Sequence, residues 1–438
     1  MIRKFLQRVF APSDYAAPTV ILRSRHGIAA EQISPAARQV ALTLTQSKHA
    51  AFVVGGAVRD LLLKRVPKDF DVVTDATPDR VRSLFRRSRI IGRRFRLVQV
   101  MSDGEIVEVS TFRGAEAASE VDERGRVLRD NVFGTQAQDA ARRDFTVNSL
   151  FYNPQKEQIL DYQGGFTDLI AHRLRAIGDP EARYREDPVR MLRAVRLSAA
   201  LGLKLDPATA EPIARLAPLL QFVPPARVFD EMLKLLLSGH SAECIRGLRA
   251  QGLHHGLLPL LDVILQQPLG ERFVWSALAS TDERIRQAKP VTPSFLFATL
   301  LWHEVLSAWN AAEKNGLPPH AALKQAMDQV FDLQAAKLAI PRRFSAITKE
   351  IWSLQPRFLH RSGARAIRLL SHPRFRAGFD FLNLRAQSGE VENEIAEWWQ
   401  KFQLAEPEDR RAMLLPGVPR RKRRRRRARA AAHDPATS

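Results

Sequence analysis

Residues 52 to 71 read FVVGGAVRDLLLKRVPKDFD, and the fold turns on how that stretch is parsed. Phe52 to Val54 is a short apolar run that ends in two glycines, Gly55 and Gly56, followed by an amphipathic segment. The stretch closes on Asp69 and Asp71 with Phe70 between them. Read as a strand, that alternation sends both carboxylates to one face and Phe70 and Val72 into a core. Two carboxylates on a rigid strand make a platform for Mg²⁺, and a glycine turn at a helix start offers bare backbone N–H groups to phosphate oxygens. The combination points to a nucleoside-triphosphate site. An Asp-x-Asp pair alone would be weak evidence, because exposed strand ends often carry solvated acids; the Gly-Gly upstream makes it specific.

Working outward, the pattern over residues 36 to 175 is mixed α and β. A helix is expected from Pro35 to Lys48, then the FVV strand, a second helix near Val58 to Lys64, and the DFDVVT strand. Thr77–Pro78 opens a further helix, and FRLVQVM and EIVEVSTF alternate as two strands joined by a hairpin at Ser102-Asp103-Gly104. Residues 114 to 128 are polar and small, and are expected to form a mobile loop beside the site. From Glu186 to about residue 404 strand signals fade, and Leu- and Ala-rich segments recur at helical spacing. The fold class is therefore α+β, with a mixed or antiparallel sheet followed by an all-helical region.

The formal charge is +21 over 438 residues, and residues 420 to 429 (RRKRRRRRAR) supply nine of those charges, leaving +12 for the rest. Basic character thus extends beyond the tail, and nucleic acid is the natural polyanionic partner. The single cysteine, Cys244, excludes an intramolecular disulfide and a cysteine zinc cluster, which fits a reducing cytoplasm. No apolar stretch approaches the length of a membrane span. Residues 2 to 10 place Ile2, Phe5, Leu6, Val9 and Phe10 at helical spacing opposite Arg3, Lys4 and Arg8, a pattern compatible with contact to an anionic membrane surface. The plainer reading of that segment is a short helix, packed or frayed.

Phosphoryl-type transfer needs metal, positioning and charge stabilisation more than covalent help from the protein. A two-metal site wants a third carboxylate near Asp69 and Asp71, and Asp60, Glu108 and Asp144 are the candidates in the same half. Arg59, Arg113, Arg142 and Arg143 flank those acids and could clamp phosphate. In Glu186-Asp187-Pro188-Val189-Arg190, acids and a proline mark a helix start. Arg190, Arg193 and Arg196 then recur every third residue, and spacing alone favours a solvated basic face for them. His254 and His255 are adjacent, which is unsuited to shared metal ligation, and Trp398 and Trp399 read as packing residues. There is no Walker A motif, Ser-His-Asp arrangement or dinucleotide fingerprint.

GGAVRD, KDFDVVTDATP, RRDFTVNSLFY and EDPVRMLRAVRLSAALG, in that order, resemble the class II nucleotidyltransferases, which comprise bacterial poly(A) polymerases and tRNA CCA-adding enzymes. IIGRRFRLVQV, the DNVFG lead-in, PPARVFDEMLKLL, LAIPRRF, HPRFRAGFDFLNLRA and the arginine-rich tail are similar to the poly(A) polymerase branch. One departure is Leu197–Ser198, where relatives often carry Phe-Ala. The resemblance spans residues 20 to 405 or so. It implies a polymerase-β-type head (36–175), a helical neck that recognises the nucleotide (176–240), a helical RNA-binding body and leg (241–404) and a disordered tail (405–438), with 1–35 a weakly ordered lead-in.

By the same resemblance Asp69, Asp71 and Asp144 are catalytic acids, with Glu108 the alternative third carboxylate, and Asp69 and Asp71 hold Mg²⁺ or Mn²⁺. Gly55, Gly56, Arg59, Arg113, Arg143, Asp187, Arg190 and Arg193 face the nucleotide, Asp187 and Arg190 reading its base. Arg420, Arg421, Lys422, Arg423 and Arg424 hold RNA. The expected activity is template-independent addition of AMP from ATP to RNA 3′ ends, linked to RNA decay. The expected partners are RNA 3′ ends and ATP, with an RNA chaperone or decay machinery as further candidates, and the chain a cytoplasmic monomer. The rival readings are a CCA- or A-adding tRNA nucleotidyltransferase and an inactive RNA-binding protein.

Overall fold

The computed structural model describes residues 17–92, 96–114, 120–121, 127–129, 132–254, 268–335, 338 and 340–416. The expectations for residues 2 to 10, for His255, for the arginine run and for most of the 114–128 loop lie outside those residues. The chain divides into two compact units, one ending at Ser345 and one beginning at Ala346.

The first unit is built on one eight-stranded sheet. Its strands are β1 (Thr19–Leu22), β2 (Ala51–Val54), β3 (Asp71–Thr74), β4 (Ser88–Ile91), β5 (Leu97–Ser102) and β6 (Glu105–Thr111), completed later in the chain. A two-stranded pair follows, β7 (Glu120–Val121) with β8 (Val127–Arg129), within the stretch expected to be a loop. Strands β9 (Leu150–Asn153) and β10 (Gln158–Asp161) rejoin the large sheet, whose order is β1-β10-β9-β2-β3-β6-β5-β4. Every neighbouring pair is antiparallel except β3 and β6. The sheet is therefore mixed, and the head is α+β as its alternating patterns implied.

Local chemistry accounts for the elements. Helix α1 (Pro35–Gln46) starts with Ser34 accepting a hydrogen bond from the Ala37 N–H and with proline in the first turn. Its buried stripe, Ala36, Ala37, Val40, Ala41 and Leu44, repeats at helical spacing and covers one face of the sheet. Helix α2 (Gly56–Leu62) begins directly at the second glycine, earlier than the Val58 expected. Helix α3 (Pro78–Leu84) is capped by Thr77, whose hydroxyl accepts from the Arg80 N–H. The β5–β6 hairpin turns at Asp103 and Gly104, both at positive φ (47° and 80°), as a tight turn between right-twisted strands requires.

Two expectations are corrected here. The lead-in is ordered from Thr19: β1 is an edge of the large sheet, paired with β10, and Ile21, Ile28 and Ile33 are buried. Four residues whose partner lies far along the chain leave little periodicity to read. Asp69 precedes β3 instead of lying within it, so Asp69 and Asp71 are not two strand residues on one face.

Helices α4 (Gln136–Arg142) and α5 (Gly165–Ile170) flank β9 and β10 in the chain, and α6 (Pro180–Glu186) and α7 (Val189–Leu201) follow. The two-residue strands β11 (Arg173–Leu174) and β12 (Lys204–Leu205) pair in parallel across them. Helices α8 (Pro207–Leu216), α9 (Pro225–Leu236), α10 (Ser241–Ala250), α11 (Pro268–Arg286), α12 (Pro293–Lys314) and α13 (Pro319–Ala335) continue the helical region. One apolar core joins Phe145 and Val147 of the head to Met191, Leu192 and Val195 of α7, then to Leu235, Ile245, Phe297 and Leu300. Helix α7 is thus fixed by packing on both the sheet-bearing part and the helices that follow.

Helix α14 (Arg342–Phe358) leads into the second unit, which contains α15 (Gly363–Leu370), α16 (Phe375–Gln387), α17 (Asn393–Leu404) and α18 (Pro407–Ala412). Its core gathers Leu354, Phe358, Leu369, Phe379, Leu382, Trp399 and Phe402. Trp399 is fully buried and donates its indole N–H to the Phe358 carbonyl at 2.8 Å, and Trp398 donates to the Met413 carbonyl at 3.1 Å. Both tryptophans pack, as their sequence reading had it. Among the described residues no helix is long and apolar enough to cross a membrane.

Candidate active site

The register of three adjacent strands assembles the centre. Val54 pairs with Asp71, so the Gly55–Gly56 turn leaves β2 beside the first residue of β3. Gly55 sits at φ 75° and ψ −128°, a conformation that side-chain-bearing residues avoid. On the other side of β3, Val72 pairs with Val109 in parallel, which brings Glu108 alongside Asp71. Asp69 joins them from the segment before the strand. Burial, then the charges of Asp69 and Glu108, push the Asp71 carboxyl up to about 6, against the opposing pull of Arg143.

Those carboxylates fit a divalent ion. Their mutual repulsion is what a cation would relieve, and among the described residues neither Asp69 nor Asp71 has an ion-pair partner. Among the described residues no group of three or more His, Cys, Asp or Glu side chains is placed to hold a metal ion by itself. An ion held by one or two carboxylates and completed by substrate phosphates is the usual arrangement for Mg²⁺.

Asp144 takes a different place. Its carboxylate is buried, accepts from the Phe145 N–H at 2.8 Å and from Asn148 Nδ2 at 3.1 Å, and pairs with Arg193 at 2.8 Å. Burial alone would raise its pKa, but Arg193, Asn148, the Phe145 N–H and Arg190 together hold it below the usual carboxylate range. Asp60 is bound by its neighbour Arg59, 2.7 Å away, and Arg59 also donates to Asn148 Oδ1 at 2.7 Å. Asp139 holds Arg143 at 2.9 Å and lies 3.7 Å from Arg113.

The arginine stripe of α7 is not a solvated face. Arg190 pairs with Glu186 at 2.6 Å, Arg193 with Asp144, and Arg196 with Glu231 of α9. The helix start differs too. Glu186 ends α6, Asp187 is the link, and neither caps α7; Asp187 Oδ2 instead accepts from Arg227 at 2.8 Å. Periodicity saw a polar stripe but not that acids from three other segments converge on it.

Two cavities open on the centre. One, of about 400 Å³, is lined by Asp71, Glu108, Arg113, Asp187, Arg190 and Arg227, among others. The second, of about 750 Å³, is lined by Gly55, Gly56, Arg59, Asp60, Asp69 and Asn148, among others. Asp71, Arg143, Asp144 and Arg193 line both. The structure therefore gathers the expected head and α7 residues around one centre, while Arg420 to Arg424 lie outside the described residues. Arg227, Glu231, Asp139 and Asn148 were missed. Arg227 and Glu231 fall in PPARVFDEMLKLL, which had been read only as a branch marker.

Comparison with known proteins agrees with this architecture. Residues 51–175 match the family described as "Poly A polymerase head domain", 202–265 match "Probable RNA and SrmB- binding site of polymerase A", and 315–431 match "Polymerase A arginine-rich C-terminus". Poly(A) polymerase I of Salmonella typhi is 46% identical over 432 residues, covering 94% of this chain and 92% of the relative. The CCA-adding enzyme of Bacillus subtilis is 38% identical over 218 residues, covering 50% and 54%. The structure of Thermotoga maritima CCA-adding enzyme complexed with tRNA superposes with a TM-score of 0.57 at 17% identity, covering 86% of this chain and 85% of that one, a likeness of fold. The near-complete match to the first of these decides between the two branches, and the chain belongs to the bacterial poly(A) polymerase family.

Proposed function

We propose that Asp69, Asp71 and Glu108 form the carboxylate centre of nucleotidyl transfer, with Asp144 holding Arg193, and so α7, against it. The chain is a polynucleotide adenylyltransferase that adds AMP from ATP to RNA 3′ ends without a template. Like its family it uses a divalent metal ion, and we assign Mg²⁺, with Mn²⁺ as a substitute. When bound, the ion neutralises triphosphate charge and assists the attacking hydroxyl.

In this assignment the RNA 3′-oxygen attacks the α-phosphorus in line. The new P–O bond forms as the α–β bridging bond breaks, pyrophosphate leaves, and the hydroxyl proton passes to a carboxylate or to water. Gly55 and Gly56 admit phosphate oxygens close to backbone. Arg143, tethered by Asp139, and Arg113 stabilise charge on the departing phosphates. Asp187 and Arg190 present acceptors and donors to the edge of the base, and their tethers to Arg227 and Glu186 fix them in place. Arg59 acts through Asn148 and Asp60 as a support of the glycine turn.

The observation that carries this assignment is the strand register that sets Glu108 and the Gly55–Gly56 turn on either side of Asp71. The test is Glu108→Gln beside Asp144→Asn under single-turnover conditions. Glu108→Gln is expected to lose the chemical step at saturating ATP and metal. Asp144→Asn is expected to weaken ATP discrimination and positioning as well as rate. A Glu108→Gln enzyme with wild-type turnover would sink the assignment.

The finer partner assignments are proposals as well. Arg420, Arg421, Lys422, Arg423 and Arg424 would hold RNA phosphates with little sequence preference, which their charge density supports. A cytoplasmic location is supported by the lone cysteine, Cys244, which is buried with its thiol pushed up to about 12, and a monomeric state is a further proposal from the sequence reading. An RNA chaperone, decay machinery and membrane contact through residues 2 to 10 remain further proposals from the sequence reading.

A further inference from the structure

The transfer chemistry leaves unused one residue of the DNVFG segment. Phe133 lines the cavity of about 400 Å³ together with Glu108, Arg113, Asp187 and Arg190. Its ring is 42% exposed, and among the described residues it packs against no other aromatic side chain. A flat apolar face held open among charged groups suits a flat aromatic partner.

The backbone presents that ring by construction. Phe133 pairs with Arg113 in an antiparallel bridge just beyond β6, and residues directly opposite in such a bridge share a face. The Gly114 N–H donates to the Val132 carbonyl at 2.7 Å, and the Gly134 N–H to the Phe112 carbonyl at 2.9 Å. A Cβ at Gly134 would lie 2.4 Å from the Gly114 Cα, and one at Gly114 would lie 2.9 Å from the Phe133 carbonyl oxygen. Only glycine at both positions lets the two segments close. The neighbouring Phe112 is 3% exposed and packs with Phe52, Val54 and Phe151, while Phe133 stays in the cavity wall. The same segment is tied to the groups assigned to the base edge. Arg142 donates to the Gly114 carbonyl at 2.7 Å, and Arg183 donates to the Arg142 carbonyl. Arg183 also pairs with Glu186 at 2.7 Å, and Glu186 holds Arg190 at 2.6 Å. Arg142 and Arg183 are both buried, so this relay runs inside the protein and fixes the Phe133 strap relative to Asp187 and Arg190.

We propose that Phe133 is a specificity-determining residue that stacks on the adenine of the incoming ATP, its ring meeting the face of the base whose edge Asp187 and Arg190 read. The proposal deepens the adenylation reading and rests on it. Edge groups discriminate by hydrogen bonding, whereas a ring on the face favours a two-ring purine over cytosine through contact area. Arg113, opposite Phe133 in the bridge, then reaches the phosphates of the same nucleotide, in keeping with its assigned role.

The test compares the full-length wild type with Phe133→Ala, Phe133→Leu and Phe133→Trp, using single-stranded oligoadenylate as primer. KM and kcat are measured for ATP, for CTP and for purine riboside triphosphate, which keeps the two-ring face but lacks the exocyclic amino group. Equilibrium dialysis of labelled ATP without primer gives affinity independently of turnover, and thermal melting reports on folding. Phe133→Ala should raise KM for ATP and for purine riboside triphosphate about tenfold, the usual worth of one aromatic–base stack, and should raise that for CTP less. Turnover at saturation, primer KM and melting should not change. Phe133→Trp should keep the wild-type ATP affinity and Phe133→Leu should not, because only Trp restores a π-face. If Phe133→Ala melts lower, the Trp and Leu variants, which both fill the space, carry the decision. Undiminished ATP affinity in Phe133→Ala would overturn the proposal. So would a rise in primer KM with ATP affinity intact, which would turn the ring toward RNA, or full recovery by Phe133→Leu, which would reduce it to packing. Failure of the wild type to extend RNA with ATP would count against the adenylation reading, while the dialysis would still judge Phe133.

Discussion

Arg190, Arg193 and Arg196 of α7 and Arg357, Arg365 and Arg368 of the second unit are the same residue type on the same kind of amphipathic helix, yet they are used in opposite ways. Each α7 arginine is matched by a carboxylate from another segment, Glu186, Asp144 or Glu231. Its charge is spent inside the protein, holding in place a helix that lines the reaction centre. Among the described residues Arg357, Arg365 and Arg368 have no such match, although Arg361 and Arg374 of the same unit do. Partnered arginines position; unpartnered ones are available to a polyanion. The acids divide the same way: Asp144 is paired with Arg193, whereas Asp69 and Asp71 lack an ion-pair partner among the described residues.

The sharpest way to break this contrast is to remove one arginine of each kind. Arg193→Ala should reduce turnover by about 10²-fold, because misplacement of a positioning element costs that much even away from the reacting atoms. Arg365→Ala should leave turnover at saturating primer unchanged. Comparable losses in a steady-state assay would remove the distinction.

Stability should separate them next. Arg193→Ala strands the buried Asp144 carboxylate, and the expected loss is about 2 kcal/mol, less than for a fully buried pair because Arg193 is partly open to solvent. With Arg193 present, the Asp144 pKa is depressed, so its stabilisation is present above the unfolded carboxylate pKa and fades as pH falls through the folded value. Without Arg193, burial pushes that carboxyl up, so the variant is relieved by protonation as pH falls, and the Arg193→Ala deficit in urea unfolding should be larger at pH 7 than near pH 4. Arg365→Ala should shift stability by no more than about 0.5 kcal/mol at either pH.

The acidic side of the contrast predicts a smaller effect of opposite sign. The Asp71 carboxyl is raised to about 6, so that group disfavours the metal-free fold progressively as pH rises from the ordinary carboxylate range to that value, and fully above it. Added Mg²⁺ should raise the melting temperature more at pH 7.5 than at pH 5, and Asp71→Asn should blunt the difference. The acid limb of the activity profile should also move to lower pH as metal is increased. An equal Mg²⁺ effect at both pH values would show that Asp71 is not where the ion acts. The least effect is expected at Glu394→Gln, which releases Arg361 on the surface and should change melting very little.

The sequence made the head legible because its signals are local. An apolar run ending at Gly55–Gly56, the Thr77–Pro78 cap and the Asp103–Gly104 turn each announce their element within a few residues. Which acid stands beside Asp71 was not local information. It depends on β3 pairing in parallel with β6, a register set by residues far apart in the chain. The α7 stripe was misread for the same reason. Its partners lie at Glu186, Asp144 and Glu231, and no periodicity within the helix records them. Strand β1 escaped notice because its pattern makes sense only beside β10.

The most direct measurement is extension of a labelled single-stranded RNA, with no tRNA shape, by the wild type and by Asp71→Asn, with ATP in one reaction and CTP in the other. The account predicts a lengthening ladder from the wild type with ATP, far less with CTP, and a loss of about 10³-fold or more in Asp71→Asn. Undiminished extension by Asp71→Asn would contradict the assigned centre. Absence of a ladder with ATP, together with addition of C, C and A to a truncated tRNA, would contradict the adenylation reading itself.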